Sequence, residues 1–338
     1  MRTFRFAVAG AGVIAHKFVD GLSALPGAEL AGVASHTPGR AEEFVNEYSC
    51  LYPRAAVYHS YQELAQDSSI DAVYIANMNT QHAETAMLFL SNKIPVICEK
   101  PFALNAGQAK DMIECARAHD TFLMEAMWTR FHPVTRKAAD WIRTGKIGEI
   151  VSVKANFGMD VLTSLNGRTA AIDKGGGALL DLGVYPISYL SMIFGHPPVE
   201  MKSIVSKVST GVDASFDALL KYGELDRPLS QIHQIAHLSV AMDRTLSQTI
   251  EITGTGGVIC IHDFWASDSA CLTTRASAEV YSPGWIPNGY QYEAQEVMNM
   301  VTAGKKESSI MPLSETISIM ETLDAMRNQW GLVFSQEK

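Results

Sequence analysis

The chain has 338 residues, of which 47% are hydrophobic and 19% charged, a composition typical of a globular protein and not of a disordered or fibrous one. That length exceeds what one hydrophobic core usually fills, so we expect two domains. The net charge of -9 and the lack of a run rich in lysine and arginine argue against binding to nucleic acid or anionic membranes. Small molecules are therefore the expected partners.

The 5 cysteines are odd in number and include no Cys-x-x-Cys pair, which indicates a reducing compartment and excludes the common zinc signatures. We interpret them as buried thiols. His233 and His237 lack acidic or cysteine partners at ligand spacing, so we expect no metal. The apolar run Phe4–Ala15 could imitate a signal peptide, but it contains a glycine motif and continues into patterned helix and strand, so we expect a cytoplasmic protein. No run reaches the roughly 20 consecutive apolar residues that span a bilayer.

A glycine motif lies between the first predicted strand, Phe4–Ala9, and the first predicted helix, His16–Leu25. It fits the pattern G-x-G-x-x-A, in which Gly10 allows a tight turn and Gly12 lets the backbone approach a pyrophosphate. The start of the helix then offers N–H groups and a positive dipole end. The motif predicts a dinucleotide site with contacts at Gly10, Gly12, Val13 and Ile14.

The end of the second predicted strand, Glu29–Ser35, indicates which dinucleotide is bound. An NAD-specific site usually places a carboxylate here, whereas this chain has Ser35 and His36, with Arg40 close behind. A hydroxyl and a guanidinium bind a 2′-phosphate through charge-assisted hydrogen bonds. We therefore predict NADP over NAD; the alternative is that Arg40 only decorates an exposed helix face.

Strands and helices continue to alternate, which predicts a doubly wound parallel sheet, the Rossmann type of α/β fold. The predicted elements are strands 57–58, 72–75 and 122–124 and helices 61–66, 82–91 and 105–120. We place the dinucleotide-binding domain at residues 1–126 and a substrate-binding and dimerisation domain of α+β type at residues 127–338.

The stretch Ile94–Phe102 ends an apolar run with Glu99-Lys100-Pro101. Proline cannot continue a central strand, so Lys100 should lie at the carboxyl end of a strand, where open parallel sheets bind ligands. The alternative is a strand that ends in ordinary surface charges. Asn77 and His82 follow another strand at the same edge. The cofactor contacts predicted here are Asn77, His82, Glu99 and Lys100, and His82 either faces the nicotinamide or merely begins the next helix.

After a predicted helix over residues 134–144, short connections between strands predict a large, mainly antiparallel open sheet. The predicted strands are 150–157, 201–209, 214–222, 229–241, 249–253, 258–262 and 270–275, and a final helix is predicted at 313–330.

One helix interrupts those strands and follows the triple glycine Gly175-Gly176-Gly177. Its spacing places Asp181 and Tyr185 one turn apart on the same face. The two side chains either carry chemistry or satisfy each other by a hydrogen bond. Three consecutive glycines suit close approach by a ligand or by another segment of the chain.

Together, Gly10-Ala11-Gly12, Glu99-Lys100-Pro101 and the run from Gly176 to Tyr185 resemble the glucose-fructose oxidoreductase and inositol dehydrogenase family. The resemblance covers nearly the whole length. Within that family, the stretch 122–131 and Tyr292-Glu293-Ala294 are similar to the branch of dimeric dihydrodiol dehydrogenases and NADP-dependent D-xylose dehydrogenases.

The resemblance implies a role for each matched residue. Lys100 and Tyr185 match the catalytic pair, Asp181 matches the accompanying carboxylate, and the Lys100–Pro101 bond matches one that is often cis. It also implies NADP as cofactor, a substrate pocket and a homodimer formed through the open face of the second sheet. The matching aromatic residues of the pocket are Trp128, Phe157 and Trp265.

We therefore expect hydride transfer between NADP and a carbinol carbon of a sugar, such as D-xylose or another aldose, or of a trans-dihydrodiol. Tyr185 would be the base, because a nearby Lys100 ammonium favours the phenolate, and Asp181 would orient the pair. The reverse assignment, with Lys100 as proton carrier, stays open. So do an inositol- or ketose-type reductase and a non-catalytic NADP-responsive regulator.

Overall fold

The computed structural model describes residues 2–162, 165, 167–223, 234–284 and 288–338. It divides into two compact units: Met1–Phe131 with Pro287–Ile317, and His132–Ile286 with Ser318–Lys338. This division differs from the predicted boundary after residue 126, because a stretch near the end of the chain returns to the first unit.

The first unit is built on a six-stranded parallel sheet in the order β3-β2-β1-β4-β5-β6. Its strands are β1 (Phe4–Ala9), β2 (Ala28–Ala34), β3 (Ala56–Tyr58), β4 (Ala72–Ile75), β5 (Val96–Glu99) and β6 (Leu123–Ala126). The order reverses between β1 and β4, which is the switch point where doubly wound sheets bind ligands. The predicted Rossmann fold is confirmed.

The helices are, in chain order, α1 (Val13–Leu22), α2 (Arg40–Glu47), α3 (Tyr61–Leu64), α4 (His82–Ser91), α5 (Ala106–Ala118), α6 (Pro133–Arg143), α7 (Val184–Phe194), α8 (Tyr290–Thr302) and α9 (Leu313–Trp330). Our sequence analysis did not predict α8, which completes the first unit by packing on α1. A Cβ on Gly21 of α1 would lie 2.9 Å from the backbone nitrogen of Gln291, and the Asn288 side chain donates to the Lys17 carbonyl at 2.7 Å.

The second unit contains an eight-stranded sheet in the order β14-β13-β12-β11-β7-β10-β9-β8. Among the described strands of this second sheet, only β7 and β10 pair in parallel, which confirms the predicted mainly antiparallel sheet. The strands are β7 (Ile150–Gly158), β8 (Glu200–Lys207), β9 (Asp213–Tyr222), β10 (Gln234–Ala241), β11 (Thr249–Gly254), β12 (Gly257–His262), β13 (Ala270–Thr274) and β14 (Ala278–Tyr281).

Strand β10 shows the two faces of this sheet. Ala236 and Leu238 are fully buried, whereas Ile235 is exposed and His237 is exposed as well. The prediction began this strand at residue 229, but residues 229–233, including His233, lie outside the described part of the chain. The edge strand β14 was not predicted.

One prediction on composition needs correction. Cys98 is buried, but Cys50 is exposed and the other cysteines are half-buried, so the prediction of uniformly buried thiols is wrong. The stretch Ile172–Phe194 is long and apolar enough to cross a membrane by length and composition, although it is not an unbroken apolar run; 78% of its apolar window is buried inside the protein, which is typical of a core helix.

Candidate active site

The glycine turn between β1 and α1 leaves the start of α1 available to a ligand. Gly12 is the N-cap residue. No side chain in the described part of the protein caps the helix, and its first turn, Val13–His16, contains no acidic residue. Val13, the first helical residue, is 75% exposed, and Ile14 is half-buried. A helix N-terminus with its N–H groups uncovered attracts phosphate, so the turn fits the pyrophosphate of a dinucleotide.

Gly10 and Gly12 are required for different reasons. Gly10 has φ +108, and a Cβ there would lie 2.6 Å from the backbone nitrogen of Asn77, so the fold itself demands glycine. A Cβ on Gly12 would meet only the Ala76 carbonyl oxygen within 4 Å, at 3.9 Å. Packing among the described residues therefore does not explain Gly12, whereas close approach of a pyrophosphate does.

The residues predicted to select NADP follow β2. Ser35 is half-buried, and its Oγ accepts a hydrogen bond from the Thr37 N–H at 3.2 Å. His36 is exposed, with its ring centroid 4.2 Å from that of Tyr61. Arg40 is the exposed first residue of α2. A hydroxyl, an imidazole and a guanidinium thus occupy this end of the strand, where an acidic residue would repel a 2′-phosphate.

Lys100 follows directly after β5 and is half-buried. The strand end positions it as predicted, at the edge of the sheet where ligands bind. The peptide bond between Lys100 and Pro101 is cis, as the resemblance implied.

Glu99, the last residue of β5, is held from two sides. Its Oε1 accepts a hydrogen bond from the Tyr74 hydroxyl on β4, and its Oε2 accepts one from the Lys100 N–H at 3.1 Å. The carboxylate is 5% exposed. Glu99 is thus part of the buried support beneath Lys100, and its predicted contact with the cofactor stays a prediction.

Glu293 adds a second buried carboxyl group to this support. It lies on α8 and is fully buried, and burial, followed by the charge of Glu99, raises its pKa well above the ordinary value. Sequence analysis did not predict the roles of Tyr74 and Glu293, because no local sequence pattern reports that distant segments of the chain bury a hydroxyl and a carboxyl group together.

His82 and Asn77 are bound within the first unit. His82 is the first residue of α4, is 1% exposed, and its Nδ1 lies 3.0 Å from the Pro101 carbonyl oxygen. Burial lowers its pKa to about 4, so the imidazole is neutral near pH 7. The Asn77 amide donates to the Thr85 hydroxyl at 2.9 Å. His82 begins a helix next to the turn that follows Lys100, and its predicted contact with the nicotinamide stays a prediction.

The second unit presents Asp181 and Tyr185 on a helix that starts irregularly. Residues Leu179–Gly183 form a π-helical segment that continues into α7 at Val184. Such π segments occur often at functional sites. Asp181 is half-buried and accepts a hydrogen bond from the Arg168 guanidinium at 3.2 Å, an ion pair that the sequence did not reveal.

Tyr185 lies beside two of the three aromatic residues predicted to line the substrate pocket. The Phe157 ring lies edge-on to the Tyr185 ring at 5.6 Å and stacks on the Trp265 ring at 6.2 Å between centroids. The Trp265 indole donates to Gln248. Phe157, Tyr185 and Trp265 are hereafter the aromatic cluster.

Trp128, the third predicted aromatic residue, belongs to the first unit. It is buried and stacks on Tyr290 of α8 with 4.9 Å between ring centroids. Lys100 likewise belongs to the first unit and Tyr185 to the second, so their action as a pair stays a prediction. Among the described residues, no group of three or more histidine, cysteine, aspartate or glutamate side chains is placed to hold a metal ion.

Comparison with known proteins decides the family. Residues 4–127 match the model of the oxidoreductase family with an NAD-binding Rossmann fold, and residues 135–260 match the C-terminal domain of GFO/IDH/MocA proteins. The chain is 34% identical over 345 aligned positions to the mouse trans-1,2-dihydrobenzene-1,2-diol dehydrogenase, and the alignment covers 99% of each chain. The chain belongs to the GFO/IDH/MocA oxidoreductase family.

Other proteins show the same end-to-end likeness to this chain. The human trans-1,2-dihydrobenzene-1,2-diol dehydrogenase is 32% identical, with 99% of each chain covered. A 3-ketoreductase from Actinomadura kijaniata, crystallised with NADP and TDP-benzene, superposes with a TM-score of 0.82 at 24% identity over 97% of this chain and 98% of that one. An aldose-aldose oxidoreductase from Caulobacter crescentus gives 0.83 at 18% identity, with 98% of each chain covered. The predicted family is therefore confirmed, and the two structures confirm the fold.

Proposed function

We propose that this oxidoreductase uses NADP to oxidise a carbinol carbon of a trans-dihydrodiol or a sugar, or to run the reverse reduction. One observation carries the proposal: a chain 34% identical end to end to dihydrodiol dehydrogenases has Lys100 at a Rossmann strand end and Tyr185 in an aromatic cluster. NADP, when bound, accepts the hydride.

The first unit supports NADP as the cofactor. The uncapped start of α1 and the clearance at Gly12 suit the pyrophosphate. Ser35 and Arg40 suit the 2′-phosphate, because each charge-assisted hydrogen bond is worth roughly 1.5 to 3 kcal/mol. Asn77, Glu99 and His82 support the loops at the nicotinamide end.

We assign the proton transfer to Tyr185. The hydroxyl proton of the substrate passes to the Tyr185 oxygen as the C–H bond breaks and the hydride leaves, so charge and atoms balance. An ordinary tyrosine has a pKa of roughly 10; the Lys100 ammonium favours the phenolate and donates a hydrogen bond to the substrate oxygen. Asp181, itself held by Arg168, orients the reacting groups.

The aromatic cluster supports a substrate with an apolar face. Trp265 is half-buried and stacks on the buried Phe157, so its ring can offer a flat surface to the ring of a dihydrodiol or to the C–H face of a sugar. The dihydrodiol dehydrogenases among the relatives favour the dihydrodiol. Loss of the hydride and of the hydroxyl proton from one carbinol carbon gives a C=O group, and transfer of a proton from the neighbouring carbon to that oxygen then gives the C=C–OH group of an aromatic product. Sugars, with reaction at CH–OH, are the second candidate, because the aldose-aldose oxidoreductase shares the fold.

We further propose that the protein is a cytoplasmic homodimer. Its cysteines are free, which suits a reducing compartment. The outer face of the second sheet exposes three large apolar side chains on adjacent strands, Ile204, Leu219 and Ile235. Exposed apolar groups on one sheet face favour association with a second copy; neither nucleic acid nor membrane is an expected partner.

A substrate panel tests this function. Purified protein with NADP or NAD is given trans-dihydrodiols, D-xylose, other aldoses and inositol, and NADPH formation is followed by absorbance while cofactor binding is followed by fluorescence. We expect turnover of a dihydrodiol or an aldose with NADP. Cofactor binding without turnover across the panel would instead identify an NADP-responsive regulator.

A further inference from the structure

The helix that carries Asp181 and Tyr185 is fixed at its start by a buried carboxylate. Asp213, the first residue of β9, accepts a hydrogen bond from the Leu179 N–H through Oδ2 at 2.6 Å. Its side chain is 2% exposed. Leu179 opens the π-helical segment, so this bond pins the first turn of the helix to the sheet.

The triple glycine makes room for this contact. Gly177 has φ +124, and a Cβ there would lie 2.1 Å from the Asp213 Oδ1. A Cβ on Gly176 would lie 2.5 Å from the Thr169 carbonyl oxygen. Of the two alternatives for these glycines, close approach of the protein's own chain therefore accounts for both positions.

A second residue of the same strand contacts the other end of the π-helical segment. Phe216 lies on β9, three residues after Asp213, and a Cβ on Gly183 would lie 2.9 Å from its Cζ. Gly183 is the last residue of the segment and lies two residues before Tyr185. Strand β9 thus holds the segment at both ends, with Asp181 between the two contacts.

We infer that Asp213 is a positioning residue that sets the orientation of Asp181 and Tyr185 by anchoring the π-helical segment to β9, with Phe216 as the second anchor. The inference rests on the proposed catalytic role of Tyr185. A misplacement of about 1 Å in a reacting group can lower turnover by about 100-fold. A loosened anchor should therefore reduce kcat but leave NADP affinity, which depends on residues of the first unit, unchanged.

The chemistry of the anchor sets the order of the variants. Asp213→Asn keeps the shape and one carbonyl oxygen, which can still accept from the Leu179 N–H, whereas Asp213→Ala removes every acceptor. Phe216→Leu keeps the apolar character but removes the ring that lies against Gly183. We therefore expect kcat to fall in the order wild type, Asp213→Asn, Asp213→Ala.

The test measures kcat, KM, NADP affinity and thermal unfolding for the three variants, with Asp140→Asn and Tyr185→Phe in the same assay. Asp140 is a half-exposed α6 residue paired with Arg143 and serves as the matched control. We expect Asp213→Ala to lose about 10-fold or more in kcat, Asp213→Asn and Phe216→Leu to lose less, and NADP affinity to stay within about 2-fold of wild type.

Two results would overturn the inference: wild-type kcat in Asp213→Ala, or, should that variant not fold, wild-type kcat in both Asp213→Asn and Phe216→Leu. A lowered melting temperature with unchanged kcat would show that the anchor is only structural. Failure of the proposed function looks different, because wild type would then not turn over the panel or Tyr185→Phe would match wild type.

Discussion

The Tyr74 hydroxyl donates a hydrogen bond to the carboxylate of Glu99 across the adjacent strands β4 and β5. Lys100 follows Glu99 in the chain and donates its own N–H to the same carboxylate. A buried tyrosine side chain on β4 therefore supports the backbone that carries the proposed catalytic ammonium, in addition to the pairing of β5 with β4 and β6.

Tyr74→Phe should destabilise the protein and lower its activity. The substitution leaves a buried carboxylate with one hydrogen bond fewer, which costs about 1 to 3 kcal/mol, and it loosens the position of Lys100. Urea unfolding measures the first effect and kcat the second. Tyr58→Phe is the comparison, because Tyr58 also donates to a carboxylate, that of Asp67, but away from Lys100; a kcat loss as large in that variant would contradict the role of Tyr74.

Alanine at the two glycines of the turn should give opposite results. At Gly10 the positive φ and the 2.6 Å approach to Asn77 strain the backbone, so Gly10→Ala should lower the melting temperature. At Gly12 the added methyl group meets only an oxygen at 3.9 Å, so Gly12→Ala should fold as wild type but bind NADP at least about 10-fold more weakly, as the group fills the pyrophosphate space. Differential scanning fluorimetry with and without NADP separates the two effects. Unchanged NADP affinity in Gly12→Ala would disprove the phosphate role of the turn.

Ser35→Asp combined with Arg40→Ala should weaken the preference for NADP. The new carboxylate repels the 2′-phosphate, and the lost guanidinium removes a bond worth roughly 1.5 to 3 kcal/mol, so the ratio of kcat/KM for NADP over NAD should fall by about 10-fold or more. Arg143→Ala, which removes an exposed arginine from α6, is the control. An unchanged ratio in the double variant would mean that Arg40 only decorates its helix.

Tyr185→Phe should lower kcat by roughly 100-fold or more, the size expected when a general base is removed. NADP binding should be unchanged, because the cofactor residues lie in the first unit. Single-turnover kinetics with a substrate found in the panel measures the effect. A near-normal rate would shift the proton-carrying role to Lys100, which Lys100→Met would then test.

Asp213 should make stability depend on pH in an unusual direction. Burial raises its pKa from 3.8 to about 7, while the hydrogen bond from Leu179 and the charges of Arg327 and Lys207 oppose the rise. Between about pH 4 and pH 7 the folded protein keeps a proton that the unfolded chain has lost, so this residue's contribution to stability falls as the pH rises through that window. The side chain introduced by Asp213→Asn does not titrate in this range. The free energy of unfolding of the variant minus that of wild type should therefore rise between pH 4 and pH 7. We expect a rise of more than about 1.4 kcal/mol, the equivalent of one pKa unit. Parallel curves for the two proteins would contradict this assignment.

The sequence was sufficient to predict those parts of the fold and of the site that a local residue pattern marks. Lys100 could be predicted because an apolar strand stops at a charge and a proline, and the parallel sheet because strands and helices alternate. The buried residues that hold the site residues in place could not be predicted in this way. The bond from Asp213 to Leu179 joins residues 34 apart, and no local period reports a contact of that kind.

Helix α8 and the π-helical segment were missed for other physical reasons. The sequence of α8 mixes apolar and polar residues, and two of its buried residues, Gln291 and Glu293, are polar. Its place in the first unit depends on a fit against Gly21 and Lys17 about 270 residues earlier. Asp181 and Tyr185 are four residues apart in the sequence, which fits an uninterrupted α-helix. The sequence pattern therefore does not reveal that the turn before α7 is π-helical. The ion pair of Asp181 with Arg168 likewise depends on the turns around the triple glycine.

The return of α8 to α1 has a consequence for how the protein is made. During synthesis, residues 1–131 leave the ribosome long before α8 does. Until α8 has emerged, Trp128 cannot stack on Tyr290, and the side of α1 that α8 covers stays exposed. We therefore expect the packing of the nucleotide-binding unit to be completed only after residues 132–286 and α8 have been synthesised.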